Sequence, residues 1–211
     1  MISLIIVDDH PLVRRGLRET FAAEADMTVV AEAAHSEDVL PALAGHRCDV
    51  LLLDLSLPGR GGLEVLRDVR RDFPRVRVLV VTTHDAVHFA VRCLRAGAGG
   101  YIAKSGGPEE VVAAVREVYR TGRYISDEVA SALADFALID ESAAPPHQRL
   151  SDREHDVLRR LASGKTVSEI AAELSLSVKT VSTYRTRMIE KLGVRTTADL
   201  VRYAVERKLF E

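Results

Sequence analysis

Two stretches decide the fold: residues 4–9, Leu4-Ile5-Ile6-Val7-Asp8-Asp9, and residues 50–54, Val50-Leu51-Leu52-Leu53-Asp54. Each is an unbroken apolar run closed by acid. A strand with one wet face alternates apolar and polar residues, so a run that is apolar at every position reads as a strand of a parallel sheet, covered on both faces. Further strands are expected at Thr28–Ala31, Val76–Val81 and Gly100–Ile102. The amphipathic stretches between them carry helix-start signals. Pro11 follows His10, Ser36 precedes Glu37-Asp38, and Gly107-Pro108-Glu109-Glu110 puts a proline and two acids in a first turn. Five strand–helix alternations in about 120 residues predict an α/β, doubly wound, flavodoxin-like sheet of five parallel strands in order 2-1-3-4-5.

Composition narrows the partners. The chain of 211 residues has room for one large or two small domains. Nothing approaches the ~18 consecutive apolar residues of a membrane span, and the N-terminus lacks a basic, cleavable leader, so a cytoplasmic protein is expected. Cys48 and Cys93 stand apart, without metal spacing, and read as reduced and inert. The net charge of −2 hides an asymmetry. Residues 147–211 hold 13 Lys+Arg against 9 Asp+Glu, while residues 1–146 hold 16 against 22. A basic half and an acidic half imply different partners.

Ligand sites in open α/β sheets lie outside the carboxyl ends of the strands, which is where Asp8, Asp9 and Asp54 fall. Crowded acids repel, and a hard divalent cation offsets that; Mg²⁺ takes one or two carboxylates and keeps room for phosphate oxygens. The competing reading is a set of solvated strand ends. The fourth strand, however, ends in Thr82-Thr83 and the fifth in Tyr101-Ile102-Ala103-Lys104, adding a hydroxyl and an ammonium at the same edge. Three acids, a hydroxyl and a lysine suit phosphoryl transfer onto a carboxylate. Leu55-Ser56-Leu57-Pro58-Gly59-Arg60-Gly61-Gly62, after Asp54, reads as a turn that lets backbone approach a bound group.

On these residues the first half resembles the receiver domains of bacterial two-component response regulators. The resemblance implies that Asp54 is the phosphoacceptor and that Asp8, Asp9, Asp54 and the Ser56 backbone carbonyl hold Mg²⁺. It implies that Lys104 pairs with the phosphoryl group, that Thr82 hydrogen-bonds it, and that Tyr101 changes rotamer with the state. Ser56 and His84 are expected to tune water access. Many receivers have proline after the lysine; here Ser105-Gly106-Gly107 follows, which leaves that peptide's geometry open.

After a linker, Ile139-Asp140-Glu141-Ser142-Ala143-Ala144-Pro145-Pro146, four short helices are expected. Ser151-Asp152-Arg153-Glu154 and Thr166-Val167-Ser168-Glu169 match the capping box, and Ser177 and Thr196 can cap the third and fourth helices. The second and third helices are separated only by Leu174-Ser175-Leu176, the form of a helix-turn-helix. The candidate recognition helix, Ser177–Lys191, carries Lys179, Arg185, Arg187 and Lys191 against Glu190. Val178, Val181, Met188, Ile189 and Leu192 are expected to face the core, and Ser182, Thr183, Arg185 and Thr186 to face outward. Lys179 and Thr180 suit phosphate. Residues 148–209 resemble the LuxR-type helix-turn-helix of the NarL/FixJ family, and within it Val178–Arg185 looks similar to regulators of the GacA/UvrY type. Pairing through the last helix, which that resemblance implies, would place Leu200, Val201 and Ala204 near a dimer seam; the domain's own core is the alternative.

The expectation is a receiver domain over 1–120, a linker with a short helix (Ser126–Phe136) over 121–146, and a DNA-binding domain over 147–211. Together they make a transcription regulator, not an enzyme beyond its own phosphorylation chemistry. A sensor histidine kinase would be the phosphodonor, double-stranded DNA the target, and a homodimer the active form. Two rivals stand beside it. A flavin- or nucleotide-binding enzyme would need a phosphate cradle after strand one, where Asp8-Asp9-His10-Pro11 stands instead. A phosphorylation-independent adaptor would leave the acidic site unused.

Overall fold

The computed structural model describes residues 1–57, 60–82, 87–126, 129–130, 145–174, 176–207 and 209. The chain divides into two compact units, residues 1–138 and 139–211.

In the first unit five strands, β1 (Ile2–Val7), β2 (Met27–Ala33), β3 (Val50–Leu53), β4 (Arg77–Thr82) and β5 (Gly100–Ala103), form one parallel sheet in order β2-β1-β3-β4-β5. The expected topology is therefore observed. Alternation along each strand divides its apolar residues between two cores. Ile5, Val7, Leu51, Leu53, Val78 and Val80 point to one face, where α2 (Val39–Gly45), α3 (Gly62–Asp72) and α4 (Val87–Arg95) contribute Val39, Leu66 and Ala90. Leu4, Ile6, Leu52, Leu79 and Val81 point to the other, covered by α1 (Pro11–Ala22) and α5 (Pro108–Thr121) through Phe21, Val115 and Val118. This two-sided burial is why Leu4–Val7 of β1 and the whole of β3 are apolar at every position. Each such side chain contributes roughly 1.5–3 kcal/mol. Pro11 and Pro108 open their helices as expected, and Ser36–Asp38 forms a single 3-10 turn ahead of α2.

The second unit is helical: α6 (Asp152–Ala162), α7 (Val167–Glu173), α8 (Val178–Leu192) and α9 (Thr197–Glu206), after a 3-10 turn at Pro146–Arg149. Ser151 and Thr166 close capping boxes with Glu154 and Glu169, Thr196 closes one with Asp199, and Ser177 caps α8. Gly193 ends α8 at φ 67°, a left-handed conformation that glycine adopts without strain. Leu150, Leu158, Ile170, Val181, Met188 and Leu200 form the core. Leu200 and Ala204 are buried in it and Val201 packs against it, so the core reading of these three holds. Most of the short helix expected at Ser126–Phe136, and the linker from Ile139 to Ala144, lie outside the described residues. No helix among the described residues is long and apolar enough to cross a membrane.

Candidate functional site

The two central strands bring the acids together. Asp8 N–H donates to Ala33 O (3.1 Å) and Asp54 N–H to Val7 O (2.9 Å), so the sheet's hydrogen bonding fixes both backbones. Their side chains are almost fully enclosed, 2% and 1% exposed, while Asp9 is half-buried. Lys104, just past β5, is held by its N–H donating to Thr82 O (2.7 Å). Its Nζ lies 2.6 Å from Asp8 Oδ2 and 2.6 Å from Asp54 Oδ2. One ammonium thus bridges two buried carboxylates. Burial pulls Lys104 down, but contacts with Asp54 and Asp8 outweigh it and hold the ammonium above its ordinary pKa.

The second oxygens are also engaged. Asp54 Oδ1 accepts the Ser56 N–H (3.1 Å), and Asp8 Oδ1 accepts the His10 N–H (2.8 Å). Asp9 differs. Burial, opposed by His10 and reinforced by Asp54 and Asp8, pushes its carboxyl above the usual range. Its Oδ1 is buried with no hydrogen-bond partner, although His10 Nδ1 stands 2.6 Å away. Asp8, Asp9, His10 and Asp54 each offer a ligand atom within 4.8 Å of the others. Three ionised carboxylates against one lysine leave a net charge of −2, a crowding of negative charge that a hard cation would offset. The oxygen donors fit a hard ion such as Mg²⁺.

Thr82, fully buried, ends β4 beside this cluster, and Tyr101 on β5 is 7% exposed within the core on the α2–α3–α4 side. The peptide after Lys104 is trans. His84 lies outside the described residues.

Three contributors were not anticipated. His10 joins the acids, although as the residue before Pro11 it reads only as a helix boundary. Arg14 on α1 donates Nη1 to the Asp8 carbonyl (2.6 Å) and pairs with Glu32 on β2 (3.4 Å), pinning the loop that carries both N-terminal acids. Gly62 has a packing role that its turn does not announce. A Cβ there would run into Leu55 Cα and stand 2.9 Å from Asp54 O, so the glycine lets α3 pack closely against the Asp54 backbone.

In the second unit α8 presents an exposed stripe of Lys179, Thr183, Thr186, Arg187 and Glu190, with Thr180 and Ser182 half-buried at its margins. Two orientations differ from expectation. Val178 is 50% exposed, because as the first helical residue it sits beyond the packed stripe of Val181, Met188 and Leu192. Arg185 falls on the flank near that core stripe, half-buried with Nε enclosed and without a hydrogen-bond partner, and so does not share the outward face.

Comparison with known proteins agrees with both halves. Residues 4–116 match the response regulator receiver domain family, and residues 148–204 match the family of bacterial regulatory proteins, luxR family. The chain is a two-component response regulator of the NarL/FixJ family. It is 39% identical over 205 residues to response regulator GacA of Pseudomonas aeruginosa, covering 97% of this chain and 96% of that protein. It is 37% identical over 209 residues to response regulator UvrY of Escherichia coli K12, covering 99% and 96%. Among solved structures it resembles RcsB of Salmonella enterica serovar Typhimurium bound to promoter P1flhDC in the presence of a phosphomimetic, with 29% identity, a TM-score of 0.64, and 96% and 97% of the two chains covered. The regulator therefore couples a receiver to a LuxR-type DNA-binding domain.

Proposed function

We propose that the regulator is switched by phosphorylation of Asp54 and that the phosphorylated form pairs and binds double-stranded DNA through α8. The observation that carries this is the Lys104 ammonium bridging Asp8 and Asp54 at 2.6 Å each, beside an Asp9 carboxylate short of positive charge. When bound by Asp8, Asp9, Asp54 and the Ser56 carbonyl, Mg²⁺ supplies the positive charge that offsets incoming phosphoryl oxygens.

An Asp54 carboxylate oxygen attacks phosphorus in line, forming an acyl O–P bond as the donor's bond to phosphorus breaks. From a histidine kinase that is an N–P bond, and the departing imidazole takes a proton; from acetyl phosphate it is an O–P bond, and acetate departs. Lys104 passes from the Asp54 carboxylate to a phosphoryl oxygen, keeping its contact with Asp8. Thr82 donates its hydroxyl to another oxygen, and Tyr101 shifts within the α4–β5–α5 region. The phosphoryl group brings a charge near −2 at pH 7, enough to change which packing of that region is favoured. The receiver is assigned to residues 1–120, the linker to 121–146 and the DNA-binding domain to 147–211, in a cytoplasmic protein.

On α8 the exposed Lys179 and Arg187 engage phosphates, joined by Thr180 at the helix start, while Ser182, Thr183 and Thr186 meet base edges. Arg185 contributes from the flank once its half-buried guanidinium swings outward. Intact mass after incubation with acetyl phosphate and Mg²⁺ tests the switch: wild type gains one phosphoryl group, about 80 Da, and Asp54→Asn gains none. Equal masses for the two overturn it.

A further inference from the structure

We infer that Glu154 and Lys191 form a clamp that sets the orientation of α8, so that Lys191 is a positioning residue and not a DNA contact. This rests on the reading of α8 as the DNA-reading helix.

Glu154 is 1% exposed. A single oxygen, Oε2, accepts both the Ser151 N–H (2.6 Å) and the Lys191 ammonium (2.6 Å). The first bond belongs to the capping box, so the first turn of α6 dictates where the carboxylate stands before α8 arrives. The second bond ties the last turn of α8 to that fixed point. At 3.6 residues per turn, Lys191 lies about a quarter turn from the centre of the exposed stripe of Lys179, Thr183, Thr186 and Arg187, on the side facing α6, with its own side chain 38% exposed. Its neighbour Leu192 is in the core. Core and ion pair together fix the rotation of α8 about its own axis, and hence which side chains reach outward.

Arg153–Asp156 and Arg160–Asp156 are also enclosed but lie within α6, and the pairs that link α6 to α7 differ. Arg160–Glu173 and Lys165–Glu173 tie α6 and its following turn to α7, but Glu173 and Lys165 are each 41% exposed. Surface pairs of that kind contribute little. The Glu154 carboxylate is 2% exposed, and a charge so enclosed is strongly disfavoured without its partner. The sequence counts Lys191 among four cations of a DNA-facing helix, and the clamp removes it from that set.

Salt dependence separates the two roles. A lysine on a phosphate adds about 0.9 to the slope of log affinity against log salt, whereas a residue acting through helix orientation adds nothing. The probe is a duplex that the full-length wild-type regulator itself selects from a random-sequence pool, bound in the presence of acetyl phosphate and Mg²⁺. Lys191→Met is expected to weaken binding by roughly tenfold, about 1.4 kcal/mol, with the slope unchanged. Glu154→Gln keeps an acceptor for Ser151 but loses the clamp, and is expected to weaken binding to a similar degree. The double variant should lose no more than either single one. A slope reduced by about 0.9 in Lys191→Met overturns the clamp, as does unchanged affinity in that variant. Glu154→Gln binding more tightly than wild type, by releasing a lysine to the DNA, overturns it too. Should Glu154→Gln fail to fold, Lys191→Met decides alone. A wild type that selects no duplex would instead fault the DNA-reading assignment of α8.

Discussion

Replacing Lys104 with methionine tests the electrostatics of the site most severely. Methionine keeps most of the aliphatic stem and removes only the ammonium that bridges Asp8 and Asp54 at 2.6 Å each. Both carboxylates are at most 2% exposed, so water cannot replace the lost contacts. Breaking a buried pair costs about 3–5 kcal/mol. A loss of about 3–5 kcal/mol is roughly 10–15 °C in the melting temperature of a domain this size. Thermal unfolding followed by circular dichroism in EDTA reads this directly. Without the ammonium the pocket's net charge falls from −2 to −3, so Mg²⁺ should raise the melting temperature of Lys104→Met by more than it raises that of wild type. A drop below about 2 °C in EDTA, or an Mg²⁺ shift no larger than in wild type, would refute the reasoning.

Asp9 behaves in the opposite sense. Its carboxyl is held above the usual range, chiefly by burial, so the folded state binds its proton more readily than the unfolded chain does. At pH 7 its charge therefore costs stability, a cost relieved as pH falls through the raised pKa. Asp9→Asn should melt higher than wild type in EDTA at pH 7, with the gap closing on acidification, and should lose the stabilisation by Mg²⁺. Gly62→Ala forces a Cβ into the Leu55 backbone; denaturant titration should show a loss of about 1–3 kcal/mol, and mass spectrometry a slower phosphorylation of Asp54. On α8, Lys179→Ala should reduce the salt slope of DNA binding by about 0.9, while Thr186→Ala should relax sequence preference at one position by about 1–3 kcal/mol in a competition assay.

The sheet was legible in the sequence because Leu4–Val7 and β3 are buried on both faces, which gives each a short unbroken aliphatic run closed by acid. β2, an edge strand, runs from Met27 to Ala33, beyond the expected Thr28–Ala31; the exposed Glu32 interrupts the apolar run before the buried Ala33. Asp8, Asp54, Thr82 and Lys104 were legible because strand ends place side chains by rule. His10 and Arg14 were not. The first acts through ring position beside Asp9, and the second through a backbone carbonyl, which no residue type announces. The misread orientation of Arg185 has a related cause. Helical periodicity locates the buried stripe of α8 but not how far packing extends around it, and Arg185 sits on that margin. Lys191 likewise reads as one more surface cation until the buried Glu154 opposite it is seen.

The central claim, that phosphoryl transfer to Asp54 governs DNA binding, is tested most directly by the affinity of the full-length regulator for a duplex it selects, measured with and without acetyl phosphate in Mg²⁺, alongside Asp54→Asn. Tighter binding on phosphorylation by wild type, with no response from Asp54→Asn, is the expected result. Equal affinities for phosphorylated and unphosphorylated wild type would contradict it.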